Sequence, residues 1–142
     1  VGYYIYQVLF YSRGGNTRKL ANAIAEELGV KATGVKAASV DPGAGIIFLG
    51  SGCYGGKPGE DMMKFIGAND FSGRKVALFG TSGGGQGKEV QAMEEALKQK
   101  GADVLGRYCS KGKFLVLVSR GHPDKEDLAG ARKFARETAK LG

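Results

Sequence analysis

"YYIYQVLFYSRGGNTRKLANAIAEELG", residues 3–29, carries two different periodicities joined by a short loop. As far as Tyr11 it is apolar and rich in aromatic and β-branched side chains, the composition of a strand. From Asn16 onward Leu20, Ala21, Ile24, Ala25 and Leu28 recur at helical spacing, and Gly29 stands where a helix would end. The junction is Ser12-Arg13-Gly14-Gly15-Asn16-Thr17. It reads either as a tight turn with a helix cap or as a nest for an anion, and the rest of the chain has to decide.

The same alternation continues to the C-terminus. "VKATGVKA" is a weak edge strand and "DPGAG" a loop. "GIIFLGSG" is a continuous apolar run, as in strands buried on both faces. Pro58 precedes a short helix carrying Met62, Met63, Phe65 and Ile66, and "RKVALFGTS" is another buried strand. Residues 88–100 read as a helix with Val90, Met93, Ala96 and Leu97 inward, stopped by Gly101. "ADVLGRYC" is the fifth strand. The last helix begins near Asp124, after Pro123, and carries Leu128, Ala131, Phe134, Ala135 and Thr138. "KFLVLVSRGHP" is read as an apolar loop over the sheet, because Asp103–Cys109 already fills the slot after the third helix. Strand–helix alternation predicts one α/β domain over residues 1–142, a doubly wound parallel sheet with helices on both faces. In such sheets ligands bind beyond the carboxyl ends of the strands.

Composition removes several function classes. At 142 residues, 42% hydrophobic and 25% charged, the chain has globular proportions and room for one core. No apolar run approaches a membrane span and no signal peptide is visible, so a cytoplasmic location is expected. Cys53 and Cys109 fit no metal spacing and no disulfide framework and are read as free thiols. The net charge is +7, but the basic residues are dispersed and do not interleave with aromatic ones, which argues against nucleic acid. Glycine, with 25 copies, is the informative excess, clustered where apolar runs end.

Three loops therefore fall at one sheet edge. In the first, Gly14 and Gly15 bare the backbone N–H groups, the following helix directs its positive end at them, and Ser12, Thr17 and Asn16 add side-chain donors. The second, residues 50–58, contains a literal G-x-G-x-x-G. Pro58 delays the helix that should follow, and Asp70 is misplaced for a ribose acceptor, so a dinucleotide site is rejected. Tyr54 there, among Ser51, Gly52, Cys53 and Gly55, has the freedom to lie against a flat ligand. The third, residues 80–88, falls short of a Walker A because Ser82 stands where glycine is required and Glu89 follows Lys88. It leaves bare backbone beside the second loop, able to approach the edge of a planar ring and donate hydrogen bonds.

Phosphate nest, aromatic platform and glycine-rich edge together make the sequence resemble the flavodoxins. "YSRGGNT" is similar to their FMN-phosphate loop, "GSGCYGG" to the loop whose aromatic residue stacks on the isoalloxazine, and "GTSGGGQG" to the third loop. The resemblance implies a five-stranded sheet of order 2-1-3-4-5. It implies FMN as cofactor, and electron transfer to a redox partner protein with no catalytic acid, base or nucleophile. Ser12, Arg13, Gly14, Gly15, Asn16 and Thr17 would hold the phosphate; Ser51, Gly52, Cys53, Tyr54 and Gly55 the ring; and Thr81, Ser82, Gly83 and Gly84 the pyrimidine edge. Gly14 replaces a usual hydroxyl residue, a loss that Arg13 is expected to offset. The third loop lacks an aromatic residue, and the chain is basic where electron-carrier flavodoxins are acidic. A basic surround stabilises the anion of reduced FMN, so a raised potential and a partner with an acidic docking face are expected. The competing readings are an FMN-dependent NAD(P)H or quinone oxidoreductase, with His122 and Tyr108 as the apparent proton donors, and an interaction domain that has lost flavin.

Overall fold

The computed structural model of the chain describes residues 6–82, 87–111 and 125–141. Its elements are β1 (Tyr6–Tyr11), α1 (Asn16–Leu28), β2 (Ala32–Gly34), a 3-10 turn (Val35–Ala37), β3 (Ile46–Tyr54), β4 (Lys57–Pro58), α2 (Glu60–Ala68), β5 (Lys75–Ser82), α3 (Lys88–Gln99), β6 (Asp103–Lys111) and α4 (Lys125–Ala139). The main sheet runs β2-β1-β3-β5-β6, every neighbouring pair parallel. This is the expected 2-1-3-4-5 order, with one addition. Strand β4, of two residues, folds back antiparallel on β3 and makes six strands where five were expected.

The sheet alternates its side chains between two apolar layers. Leu9, Ile47, Leu49, Val76 and Leu78 face Met62, Ile66, Met93 and Leu97 of α2 and α3. Val8, Phe10, Ile46, Phe48, Ala77 and Phe79 face Leu20 and Ile24 of α1 and Ala131 and Ala135 of α4. Burying each of the larger side chains contributes roughly 1.5–3 kcal/mol, set against the entropy of ordering the chain. Exposed ion pairs such as Arg132–Glu26 and Arg136–Glu27, which bridge α4 to α1, add about 0–1 kcal/mol each. Apolar packing therefore fixes the layers, and the ion pairs only trim them.

β5 ends at Ser82, as its run "RKVALFGTS" predicts, whereas β3 continues two residues past "GIIFLGSG", through Cys53 to Tyr54. The glycines that read as loop are strand residues over which side chains pass closely: a side chain at Gly52 would meet the Tyr54 hydroxyl at 2.6 Å. The edge strand read over "VKATGVKA" shrinks to Ala32–Gly34, because Val35 turns into the 3-10 segment. The segment "KFLVLVSRGHP", His122, and the Pro123–Asp124 helix start lie outside the described residues.

One cation holds the far end of the fold. Helix α2 ends at Ala68, and Lys100, just after α3, donates from Nζ to the carbonyls of Ile66 (2.9 Å), Gly67 (2.8 Å) and Asn69 (2.6 Å). These are carbonyls that a helix terminus leaves without intrahelical donors. Lys100→Met keeps the aliphatic stem and removes the donors. We expect a loss of about 1–3 kcal/mol in a urea unfolding titration, with an unchanged slope.

Candidate functional site

Parallel register sets the site. Tyr11 pairs with Ser51, Ser51 with Gly80, and Gly80 with Cys109, so one row crosses four strands at the same height. The loops that leave β1, β3 and β5 emerge together from that edge.

The first loop closes on itself. The Gly15 N–H donates to Ser12 Oγ (2.9 Å), and Gly15, in the left-handed region at φ 88°, turns the chain into α1. No side chain caps the helix, so its first-turn N–H groups keep their donor capacity. A side chain at Gly14 or Gly15 would meet nothing within 4 Å, and the same holds at Gly55. Bare backbone thus faces open space, as an anion ligand requires.

The second loop is a tight hairpin. Gly55 (φ 64°) and Gly56 (φ 80°) are both left-handed and reverse the chain between the paired residues Tyr54 and Lys57. Two consecutive positive φ values explain why the turn is a Gly-Gly pair. Ser51 is fully buried; its hydroxyl donates to the Gly52 carbonyl (2.9 Å) and accepts from the Gly59 N–H (2.8 Å). It binds the hairpin to the start of α2 rather than presenting its side chain.

Tyr54 links the first two loops. Its hydroxyl accepts from the Arg13 N–H (3.1 Å), and the Arg13 guanidinium lies 4.2 Å from its ring centroid. Arg13 Nε also donates to the Tyr11 hydroxyl (3.2 Å), and the Tyr11 and Tyr54 rings meet edge to face with centroids 5.9 Å apart. Arg13, expected beside the phosphate, thus places its charge on the aromatic platform. Burial pushes the Tyr54 hydroxyl above its ordinary range.

The third loop is joined to the first by Thr17 and Thr81, whose buried hydroxyls lie 2.9 Å apart. Residues expected at opposite ends of a ligand are therefore hydrogen-bonded to each other. Thr17 retains its backbone N–H for an anion. Gly83 and Gly84 lie outside the described residues, and of Ser82 only the backbone is described, as the end of β5. Tyr108 sits under α4, stacked on Phe134 at 5.8 Å and donating to the Asp127 carbonyl, which gives it a structural role.

Sequence reasoning missed Glu89. It is fully buried in the first turn of α3, against Gly80, where any side chain would collide with its carboxyl group. Oε1 accepts from the Cys109 thiol (3.4 Å), and Oε2 has no hydrogen-bond partner, an expensive arrangement in an apolar interior. The signal was present: Glu89 lies four residues before Met93 and eight before Leu97, on the stripe read as inward. Neither cysteine is in a disulfide, and both are half-buried. Burial pushes the Cys53 thiol up, and the neighbouring Glu89 charge adds to the shift.

Among the described residues, no group of His, Cys, Asp or Glu side chains could hold a metal ion, and no helix is long and apolar enough to cross a membrane. What remains is a doubly wound domain whose strand-end loops set bare glycine backbone and an uncapped helix start beside an aromatic hairpin. The flavodoxin domain profile matches residues 7–120, and the chain belongs to that family. An uncharacterized protein of Methanocaldococcus jannaschii is 30% identical over 136 residues, covering 88% of this chain and 91% of that protein. The flavodoxin of Megasphaera elsdenii is 33% identical over 113 residues, covering 70% and 81%. Among solved structures, a flavodoxin from the domain Archaea superposes with a TM-score of 0.78 at 23% identity over 96% of both chains. Flavodoxins bind FMN and carry electrons to redox partner proteins.

The Cys53 environment is directly testable. A raised thiol forms thiolate only at higher pH, so iodoacetamide should label Cys53 more slowly than a solvent-exposed cysteine below pH 9.0, the ordinary thiol value. Glu89→Gln removes the charge and leaves the burial. We expect several-fold faster labelling of the Cys53 peptide near pH 8, measured by mass spectrometry; an unchanged rate would remove Glu89 as a cause.

Proposed function

We propose that this chain is an FMN-loaded electron carrier whose cofactor is held by the three loops on the Tyr11–Ser51–Gly80 row. The observation that carries the reading is the pairing of an uncapped α1 start with bare Gly14 and Gly15 in open space, one strand from the Tyr54 hairpin. The residues present fit FMN. Ser12, Gly14, Gly15, Asn16 and the Thr17 N–H would hold the phosphate. Tyr54 and the Gly55 backbone would meet the ring, while Thr81, Ser82, Gly83 and Gly84 would border its pyrimidine edge. When bound, FMN supplies the redox chemistry, and the protein supplies binding, orientation and electrostatics.

The roles divide by chemistry. The backbone N–H groups and the Ser12 hydroxyl would stabilise a phosphate dianion by hydrogen bonding, without a lysine. Gly15 and the Gly55–Gly56 turn allow close backbone approach that a side chain would block. Arg13 holds Tyr54 by its backbone N–H and its guanidinium, which orients the platform and places positive charge beside it. That charge favours the reduced anionic ring. A partner with an acidic docking face is the natural counterpart of a chain with net charge +7.

The purified protein is expected to be yellow, with flavin absorbance bands, or to become so when incubated with FMN, and not to oxidise NADH or NADPH by itself. A colourless protein that takes up no FMN would sink the reading, and NAD(P)H turnover would move it to an oxidoreductase. In a reductive titration, the couple leading to fully reduced flavin should lie higher than that of an acidic flavodoxin measured alongside, and the gap should narrow as salt is raised.

A further inference from the structure

About half of the described cations away from the candidate site are ion-paired, among them Lys36 with Asp61, Lys64 with Glu60, Arg107 and Lys98 with Glu94, and Arg132 with Glu26; others, such as Lys31, Lys75 and Lys133, are dispersed and make no ion pair among the described residues. Arg13, Lys57 and Lys88 are exposed and make no ion pair among the described residues. They come one from each loop, and the hairpin Tyr54–Lys57 gathers them. Arg13 lies on the Tyr54 ring, Lys57 is the ladder partner of Tyr54, and the Lys88 stem passes 3.8 Å from where a Gly56 side chain would begin. On α2, Asp61, whose charge also reaches Arg13, pairs with Lys36, and Glu60 pairs with Lys64.

We propose that these three cations form the docking rim for an acidic face of a redox protein, seated over the Tyr54–Lys57 hairpin. The inference rests on the FMN reading and deepens it by naming the surface and its polarity. Charges a few ångströms from a docking edge steer an anionic face toward it, an effect on association rate that salt removes. Two tyrosine rings at the centre with cations around them give an amphipathic patch suited to a transient protein contact. The rim is also compact, gathered on one hairpin rather than spread along a groove as a nucleic-acid backbone would need.

The test uses the FMN-loaded protein reduced in advance and two one-electron oxidants of opposite charge, ferricyanide and hexaammineruthenium(III). Two equivalents of either reoxidise one reduced flavin, and its protons pass to the buffer. Stopped-flow rates are compared for wild type, Lys57→Gln/Lys88→Gln, and Lys31→Gln/Lys133→Gln, which makes the same change in net charge at other exposed lysines. Arg13 is left in place because it touches the platform. We expect the ferricyanide rate to fall with salt and to be at least about threefold lower in the rim variant than in the control variant at low salt. The ruthenium rate should rise with salt. Polyglutamate should slow ferricyanide oxidation of the wild type and not of the rim variant. Equal rates in rim and control variants, or reversed salt slopes, would overturn the proposal. So would duplex DNA binding through Lys57 and Lys88 at about 0.15 M salt, which would assign the face to nucleic acid. A failure of FMN loading would be seen before any rate is measured, and would strike the underlying reading instead.

Discussion

The parallel register of β1, β3 and β5 is the constraint on which the rest depends. Because Tyr11, Ser51 and Gly80 share one row, three loops separated by dozens of residues in sequence leave the sheet side by side. That row is held by the two apolar layers, since a one-residue slip in any strand would send its core side chains to the wrong face. Stability and site geometry are therefore one problem in this fold: the packing of Leu49, Leu78 and Phe79 positions the loops that follow them.

The loops are further tied to each other, with each tie using a different interaction. The Arg13 backbone meets the Tyr54 hydroxyl across the first pair, and Thr17 meets Thr81 across the second. Ser51 fastens the hairpin to α2, and Glu89 lies beneath β5 between the two cysteines. Built this way, the loops leave backbone and one aromatic ring at the sheet edge while the side chains of Thr17, Ser51, Thr81 and Glu89 serve the scaffold. The charge left over for the outside is positive, from Arg13, Lys57 and Lys88.

Most of the fold could be read from the sequence, because strand and helix periods change cleanly at Asn16 and the apolar runs are continuous. The last two residues of β3 could not. Gly50, Gly52 and Gly80 fall both in the strand runs and in the loops read at 50–58 and 80–88, and they are strand positions kept bare for a ring or a carboxyl group to pass. The hairpin strand β4 was hidden for the same reason: only the φ values of Gly55 and Gly56 show that the chain turns back there. Residue identity placed the ends of β1, β3 and β5 at one sheet edge, but not which side chains there were already engaged. Serine and threonine read equally well as ligand donors or internal ties, and only the register decides between them for Ser51, Thr17 and Thr81. Glu89 was overlooked because the inward stripe of that helix was read from its apolar members alone, beginning at Val90.

The central claim, that the three loops together hold FMN, is tested most directly by an amide NMR titration of the chain with FMN. Saturating shifts are expected at Ser12 through Thr17, at Tyr54 and Gly55, and at Thr81 and Ser82, all following one binding curve. Shifts confined to another face of the sheet, or none at saturating FMN, would contradict it.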